Sequence, residues 1–174
     1  EGTPVDARAP RAGARLTAER VWGEVGATIV RVTAIYGPGR GIHLRLARGE
    51  VRAIGEGGNA ISRVHVDDLA EMLYRLLVRG TRGGLFVAGD REPAPHVEVV
   101  RWVAGAIGVA MPPPAAAAEV DETLRHDRRV DPSRLLAELG MEPRYPSYRE
   151  GYAHSIAMDR KAIESALIAR GLRS

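Results

Sequence analysis

The chain has 174 residues, 45% of them hydrophobic, which is enough apolar surface for the core of one domain or a large piece of one. It contains no cysteine, which excludes a disulfide framework and a thiolate metal site and suits a reducing compartment such as the cytoplasm. The net charge is only +3, Lys161 is the single lysine, and the arginines are interspersed with carboxylates and few aromatics, so neither nucleic-acid binding nor, with no run near ~20 apolar residues, a membrane span is expected.

Residues Glu1 to Arg20 carry no signal-peptide core. Ala14, Ala18, Val21, Trp22 and Val25 fall on one face of a helix that Gly26 can end. Thr28-Ile29-Val30-Arg31-Val32 then reads as a buried strand running to Tyr36, and Gly37-Pro38-Gly39-Arg40 as the turn after it. In open α/β sheets ligands bind beyond the carboxyl ends of the strands, which puts Tyr36 and Arg40 where a ligand would sit. An ordinary strand and tight turn accounts for the same residues.

His43 to Arg48 suits a short helix, Val51 to Ile54 an extended piece, and Gly55, Gly57 and Gly58 a turn. Ile61 to Val66 alternates like a strand. Asp67 is placed to cap a helix with Leu69, Met72, Leu73, Leu76 and Leu77 on its apolar stripe. Leu85 to Ala88 is a short buried strand closed by Gly89-Asp90, and Val100, Val103, Ala104 and Ile107 mark a helix closed by Gly108. Met111 to Ala118 is a Pro/Ala-rich connector. Asp131-Pro132 opens a helix lined by Leu135, Leu136 and Leu139, and Ser147 with Glu150 has capping-box spacing ahead of Tyr148 and Tyr152. Met158 to Ser174 reads as a further amphipathic helix.

The five histidines, His43, His65, His96, His126 and His154, show no metal-ligand spacing, so no metal is expected. His65 is placed to be buried beside a helix start, and Asp67 and Asp68 to cap that helix rather than act as an acid/base pair. No Gly-x-Ser-x-Gly elbow is present.

Several of these segments, in order, resemble the carboxyl-terminal half of an extended short-chain dehydrogenase/reductase, of the atypical NAD-dependent epimerase/dehydratase branch. They are Glu1-Thr3-Pro4, Glu19, Arg31 with Tyr36-Gly37-Pro38-Gly39, Val66-Asp67-Asp68-Leu69-Ala70, Gly89 to Pro93, Asp131 with Ser133 and Leu139-Gly140, and Pro143 to Gly151. The resemblance implies an α/β fold: part of a Rossmann-like parallel sheet with a small carboxyl-terminal helical substrate-binding part. It covers residues 1–157, which leaves 158–174 as an appended helix expected to dock loosely.

The chain departs from the family in three places. The Gly-rich dinucleotide fingerprint is missing, and neither Gly37 to Gly41 nor Gly55 to Gly58 replaces it, because no long helix opens behind either. The resemblance therefore implies NAD or NADP for the complete protein and weak or no binding by this chain alone. The family's acid/base Tyr and its Lys fall on Arg11 and Arg15, and a guanidinium does not shuttle protons at working pH. Arg15 retains hydrogen bonds for ribose or phosphate, with Thr33 and Tyr36 on the cofactor side; two solvated arginines at a helix start account for 11 and 15 equally. The substrate-phosphate arginine falls on Ile61, with Arg63 two residues on and on the same strand face. Arg63 then joins Tyr36 and Arg40 as substrate-binding residues, or is a partly exposed strand arginine.

The implied function is the substrate-side half of an NAD(P)-dependent oxidoreductase or epimerase acting on a small anionic molecule such as a nucleotide sugar. The alternative is a non-catalytic NAD(P)-binding sensor or regulator. The helix over residues 14–25 is expected either to pair two copies of the chain, as in the family, or to cover the sheet.

Overall fold

The strand that ends at Tyr36 forms, and it changes partners halfway. A computed structural model describes residues 10–54, 58–115 and 127–173. The chain order is α1 (Pro10–Glu24), β1 (Ile29–Val32), β2 (Ala34–Tyr36), α2 (Ile42–Ala47), β3 (Ala53–Ile54), β4 (Ala60–Ile61), β5 (Arg63–His65), α3 (Val66–Val78), β6 (Leu85–Ala88), β7 (Ala94–Pro95), α4 (His96–Ile107), β8 (Pro114–Ala115), α5 (Ser133–Leu139), α6 (Tyr148–Met158) and α7 (Arg160–Ala169). Glu1, Thr3, Pro4, Gly55, Glu56, Gly57, the end of the connector from residue 116, His126 and the Arg11 side chain lie outside the described residues.

β1 pairs in parallel with β6, from Ile29↔Leu85 to Val32↔Ala88. Beyond Thr33 the same strand, now β2, pairs in parallel with β5, from Ala34↔Arg63 to Tyr36↔His65. The chain returns from β5 to β6 through α3, the parallel crossover of an α/β sheet. The stretch 61–66 is broken at Ser62, whose N–H donates to the carbonyl of Arg128 and whose hydroxyl accepts from Val130 N–H. β4, before the break, pairs antiparallel with β7 instead.

Among the described residues two hydrophobic clusters hold the fold together. One lies between sheet and helices, with Val64, Met72, Phe86, Leu135, Leu136 and Leu139 buried from β5, α3, β6 and α5. The other is helical: α2, α4, α6 and α7 close around Leu44, Val99, Val103, Tyr148, Tyr152 and Leu167, with Tyr36 reaching in from the sheet. Burying one such large side chain contributes roughly 1.5–3 kcal/mol.

Three expectations need correction. The 158–174 helix is no loose appendage: Ile163 and Leu167 of α7 are buried in the second cluster, and Arg170 donates to the carbonyls of Leu46 and Ala47 at the end of α2. Asp67 does not cap α3. His65 is the N-cap, its Nδ1 accepting from Asp67 N–H, while Asp68 accepts from the N–H groups of Arg144 and Tyr145 and so pins the segment before α6. The apolar face of α1 does not cover the sheet: Val21, Trp22 and Val25 are exposed. What joins α1 to β1 is a two-pronged ion pair, Arg31 Nε and Nη2 donating to Glu19 at 2.9 and 2.7 Å, which holds the Glu19 carboxyl below its usual range. Among the described residues no helix is long and apolar enough to cross a membrane.

Candidate functional site

A cleft of about 350 Å³ opens at the carboxyl end of β2, where the sheet meets the helical cluster. The turn after Tyr36 forms its lip. Gly39 takes a φ of 73°, which a side chain would strain, and its N–H donates to the Asp159 carboxylate at 2.7 Å. The same carboxylate oxygen accepts from His43 Nε2, also at 2.7 Å, so the junction of α6 and α7 grips the turn and α2 together.

Tyr36 lines the cleft, and its hydroxyl donates to the carbonyl of Ser147 at 3.3 Å. Its ring stacks on Tyr152 at 4.5 Å and meets His65 edge-on at 5.4 Å. Burial pushes both phenols upward, far for Tyr36, which is the opposite of what a general acid/base tyrosine needs. Tyr152 Oη instead accepts from the N–H of Ile42 at the start of α2.

The lining is cationic. Arg63 is 4% exposed, and its Nη1 donates to the carbonyls of Ile61 and Ala94 at 2.7 and 3.2 Å, which fixes the guanidinium between β4 and β7. It is therefore not a partly exposed strand arginine. Burial lowers its pKa, but an arginine stays charged at working pH. Exposed Arg40 and Arg45 complete the rim, and among the described residues none that lines the cleft is acidic. His96, at the start of α4, is held to a pKa of about 4 by burial and then by the charges of Arg63 and Arg45. It enters the cleft as a neutral imidazole.

Asp90 is 1% exposed, its N–H donating to the Arg63 carbonyl, and among the described residues neither carboxylate oxygen has a hydrogen-bond partner of normal geometry. Burial raises its pKa to about 7, opposed first by the charge of Arg63. Thr33, at the point where the strand changes partners, has a buried hydroxyl that is likewise unpartnered.

Of the residues singled out from sequence, Tyr36, Arg40 and Arg63 meet at this cleft. Thr33 lies at the strand joint, and Arg15 points to solvent from α1 and does not line the cleft. Arg45, His96 and Tyr152 escaped the sequence reading: each sits at an ordinary helix position, and only packing brings the three helices to one opening. Asp90 was legible only as a turn residue. A second hollow of similar volume lies beside α5, with the exposed Arg91–Glu142 ion pair at its edge and no convergent buried polar groups.

The described residues do not fit the pyrophosphate of a dinucleotide. The glycine-rich turn after β2 is the candidate cradle, but its amides are occupied: Gly37 N–H donates to the Arg40 carbonyl, Arg40 N–H to Gly37, Gly39 N–H to Asp159 and Ile42 N–H to Tyr152. α3 starts directly after β5 with no glycine turn between them.

No protein-family model matches the chain. In sequence it is 27% identical over 172 residues to a dTDP-glucose 4,6-dehydratase of Mycolicibacterium smegmatis, covering 90% of this chain and 51% of that protein. In structure it is similar to a protein of unknown function from Silicibacter pomeroyi, at a TM-score of 0.81 and 33% identity, covering 90% of this chain and 59% of that one. It is also similar to a provisionally named NAD-dependent epimerase/dehydratase from Methylobacillus flagellatus, at a TM-score of 0.71 and 30% identity, over 92% and 57% of the two chains. The chain thus spans about half the length of the curated relatives it matches, in keeping with the carboxyl-terminal half that its motifs resemble.

Proposed function

We propose that this chain is the substrate-side half of an NAD(P)-dependent oxidoreductase of the epimerase/dehydratase kind, and that its cleft receives an anionic substrate such as a nucleotide sugar. The observation that carries this reading is the convergence of Arg40, Arg45 and Arg63 on one cleft, with no acidic side chain among its described lining, at the carboxyl end of a parallel strand. Arg63 is already anchored by two carbonyls, so its charge is oriented before a ligand arrives. Tyr36 lines the cleft, and Arg15 and Thr33 face the cofactor side. The dinucleotide's pyrophosphate belongs to the missing half, so this chain alone binds NAD or NADP weakly or not at all.

Calorimetric titration tests this. UDP-glucose or dTDP-glucose should bind, free glucose should not, and Arg40→Ala with Arg45→Ala should weaken binding by more than ~10-fold, since each lost charge-assisted hydrogen bond costs about 1.5–3 kcal/mol. Equal affinity in the double variant overturns the assignment.

A second reading, a non-catalytic NAD(P)-binding sensor, is favoured by one specific feature. Arginines occupy positions 11 and 15, and the tyrosines at the cleft are pushed away from proton transfer. Hydride transfer by the complete protein, followed through the nicotinamide absorbance with a nucleotide sugar present, separates the two. We also place self-association on the helix over residues 14–25, whose Val21, Trp22 and Val25 face outward.

A further inference from the structure

We propose that His65, Asp67 and His154 form a site for a divalent transition metal such as Zn²⁺, clamping the start of α3 to α6. His65 Nδ1 lies 3.6 Å from Asp67 Oδ2, His154 Nε2 lies 3.8 Å from the same oxygen, and the three ligand atoms all fall within 4.8 Å of one another. A zinc ion about 2.0–2.2 Å from each ligand holds neighbouring ligand atoms roughly 3.3–3.6 Å apart. Shifts of a few tenths of an ångström close the two carboxylate edges. The third edge closes by rotation of His154, whose side chain is only half-buried.

The hydrogen bonds select the tautomer a metal requires. Ser155 Oγ donates to the carbonyl of Gly151 at 2.7 Å, which leaves its oxygen to accept from His65 Nε2–H at 3.4 Å. Nδ1 then carries the free lone pair, and its present partner, the N–H of Asp67, is a long 3.3 Å away. Orientation of a ligating imidazole through its other nitrogen is the usual outer-shell arrangement in metal sites. Packing fixes the buried ring as well. Tyr145 sits 4.0 Å from the His65 ring and holds it in place, and stacks on the partly exposed His154 at 5.1 Å.

His65 is fully buried, while the Asp67 side chain is 51% exposed, so the site has a solvent-facing mouth with room for a water as a further ligand. Arg144 places one positive charge nearby, opposed by Asp67 and Asp68. Two imidazoles and one carboxylate favour Zn²⁺ or Co²⁺ over Ca²⁺ or Mg²⁺, which prefer all-oxygen shells. Sequence spacing conceals the group, because α6 brings His154 back to the β5–α3 junction from far along the chain. His154 shares α6 with Gly151 and Tyr152, so an ion here stiffens one wall of the cleft. The inference does not depend on the function proposed above.

The test is metal titration of the tag-free chain after chelator treatment, by calorimetry with Zn²⁺ and by visible absorption with Co²⁺. The wild type should bind one ion per chain, and Zn²⁺ at ~100 times its Kd should raise the melting temperature by roughly 5–10 °C. His154→Ala and Asp67→Asn change half-exposed or exposed side chains and should fold; each should weaken binding more than ~10-fold and, at the same metal concentration, cut the thermal shift to about half or less. No binding by the wild type at millimolar metal overturns the proposal, and so does wild-type affinity in either variant.

Discussion

Replacing Gly151 by alanine sets helix propensity against packing, and the structure decides between them. Propensity favours alanine in a helix interior by about 0.8–1 kcal/mol. A Cβ at Gly151, however, would lie 2.6 Å from both Cε2 and Cζ of Tyr36, and closer still to the Tyr36 hydroxyl. Carbon atoms in ordinary contact sit ~3.5–4.0 Å apart, so the overlap is about 1 Å. Tyr36 has little freedom to yield: Tyr152 stacks on one side, His65 abuts it edge-on, and the hydroxyl is tied to Ser147. Overpacking of this kind costs about 1–3 kcal/mol or more, and losing the Tyr36 hydrogen bond adds about 1 kcal/mol. Gly151→Ala should therefore destabilise the chain by roughly 1–3 kcal/mol net, a fall of about 3–10 °C in melting temperature. Gly105 in α4 is the control: nothing lies within 4 Å of its would-be Cβ, so Gly105→Ala should stabilise by ~0.5–1 kcal/mol. In a Tyr36→Val background the Gly151→Ala step should become neutral or stabilising, a coupling that a double-mutant cycle reads directly. Urea unfolding followed by circular dichroism measures all four variants. A Gly151→Ala protein at least as stable as wild type would refute the steric argument.

Leu167→Ala should cost about 2–5 kcal/mol, because the side chain is fully buried in the helical cluster; a loss under ~1 kcal/mol in urea unfolding would return α7 to the status of an appendage. Asp90 and His96 should act oppositely on stability across the same pH range. The folded pKa of Asp90 is raised to about 7 from 3.8, so the folded state holds the extra proton and stability falls as pH rises between those values. The folded pKa of His96 is lowered to about 4 from 6.5, so stability is present above 6.5 and falls as pH drops from there toward 4. Asp90→Asn should then leave a protein that weakens on acidification below pH ~6.5, and His96→Gln one that weakens as pH rises from ~4 to ~7; unfolding curves at pH 4.5, 6 and 8 check both signs, and parallel profiles for the two variants would contradict them. Trp22→Arg should convert a self-associating protein to a monomer in sedimentation at micromolar concentration, and a wild type already monomeric there removes the surface from consideration.

Much of the fold was legible because its signals are short-range. The β-branched run into Gly-Pro-Gly, the Leu69, Met72 and Leu76 part of the α3 stripe (Leu73 and Leu77 turn out exposed) and the glycine stop after α4 follow from energies that act over a few neighbouring residues. The capping box at Ser147 and Glu150 is of the same kind, Ser147 accepting from Arg149 N–H and Glu150 accepting from Ser147. The cleft was half legible for the same reason: Tyr36 and Arg40 are adjacent to a recognisable turn, and Arg63 lies on a strand.

Tertiary packing alone decided the rest. An apolar stripe says that a helix is amphipathic, not which neighbour covers it; the stripe of α1 faces solvent while that of α7 is buried against α2. The same holds for charge. Whether Asp90 is a solvated turn residue or a buried carboxyl near pH 7 depends on desolvation by segments far away in the chain, as does the meeting of His65 with His154. Local conformational energies are written residue by residue, whereas burial and convergence are properties of the packed whole.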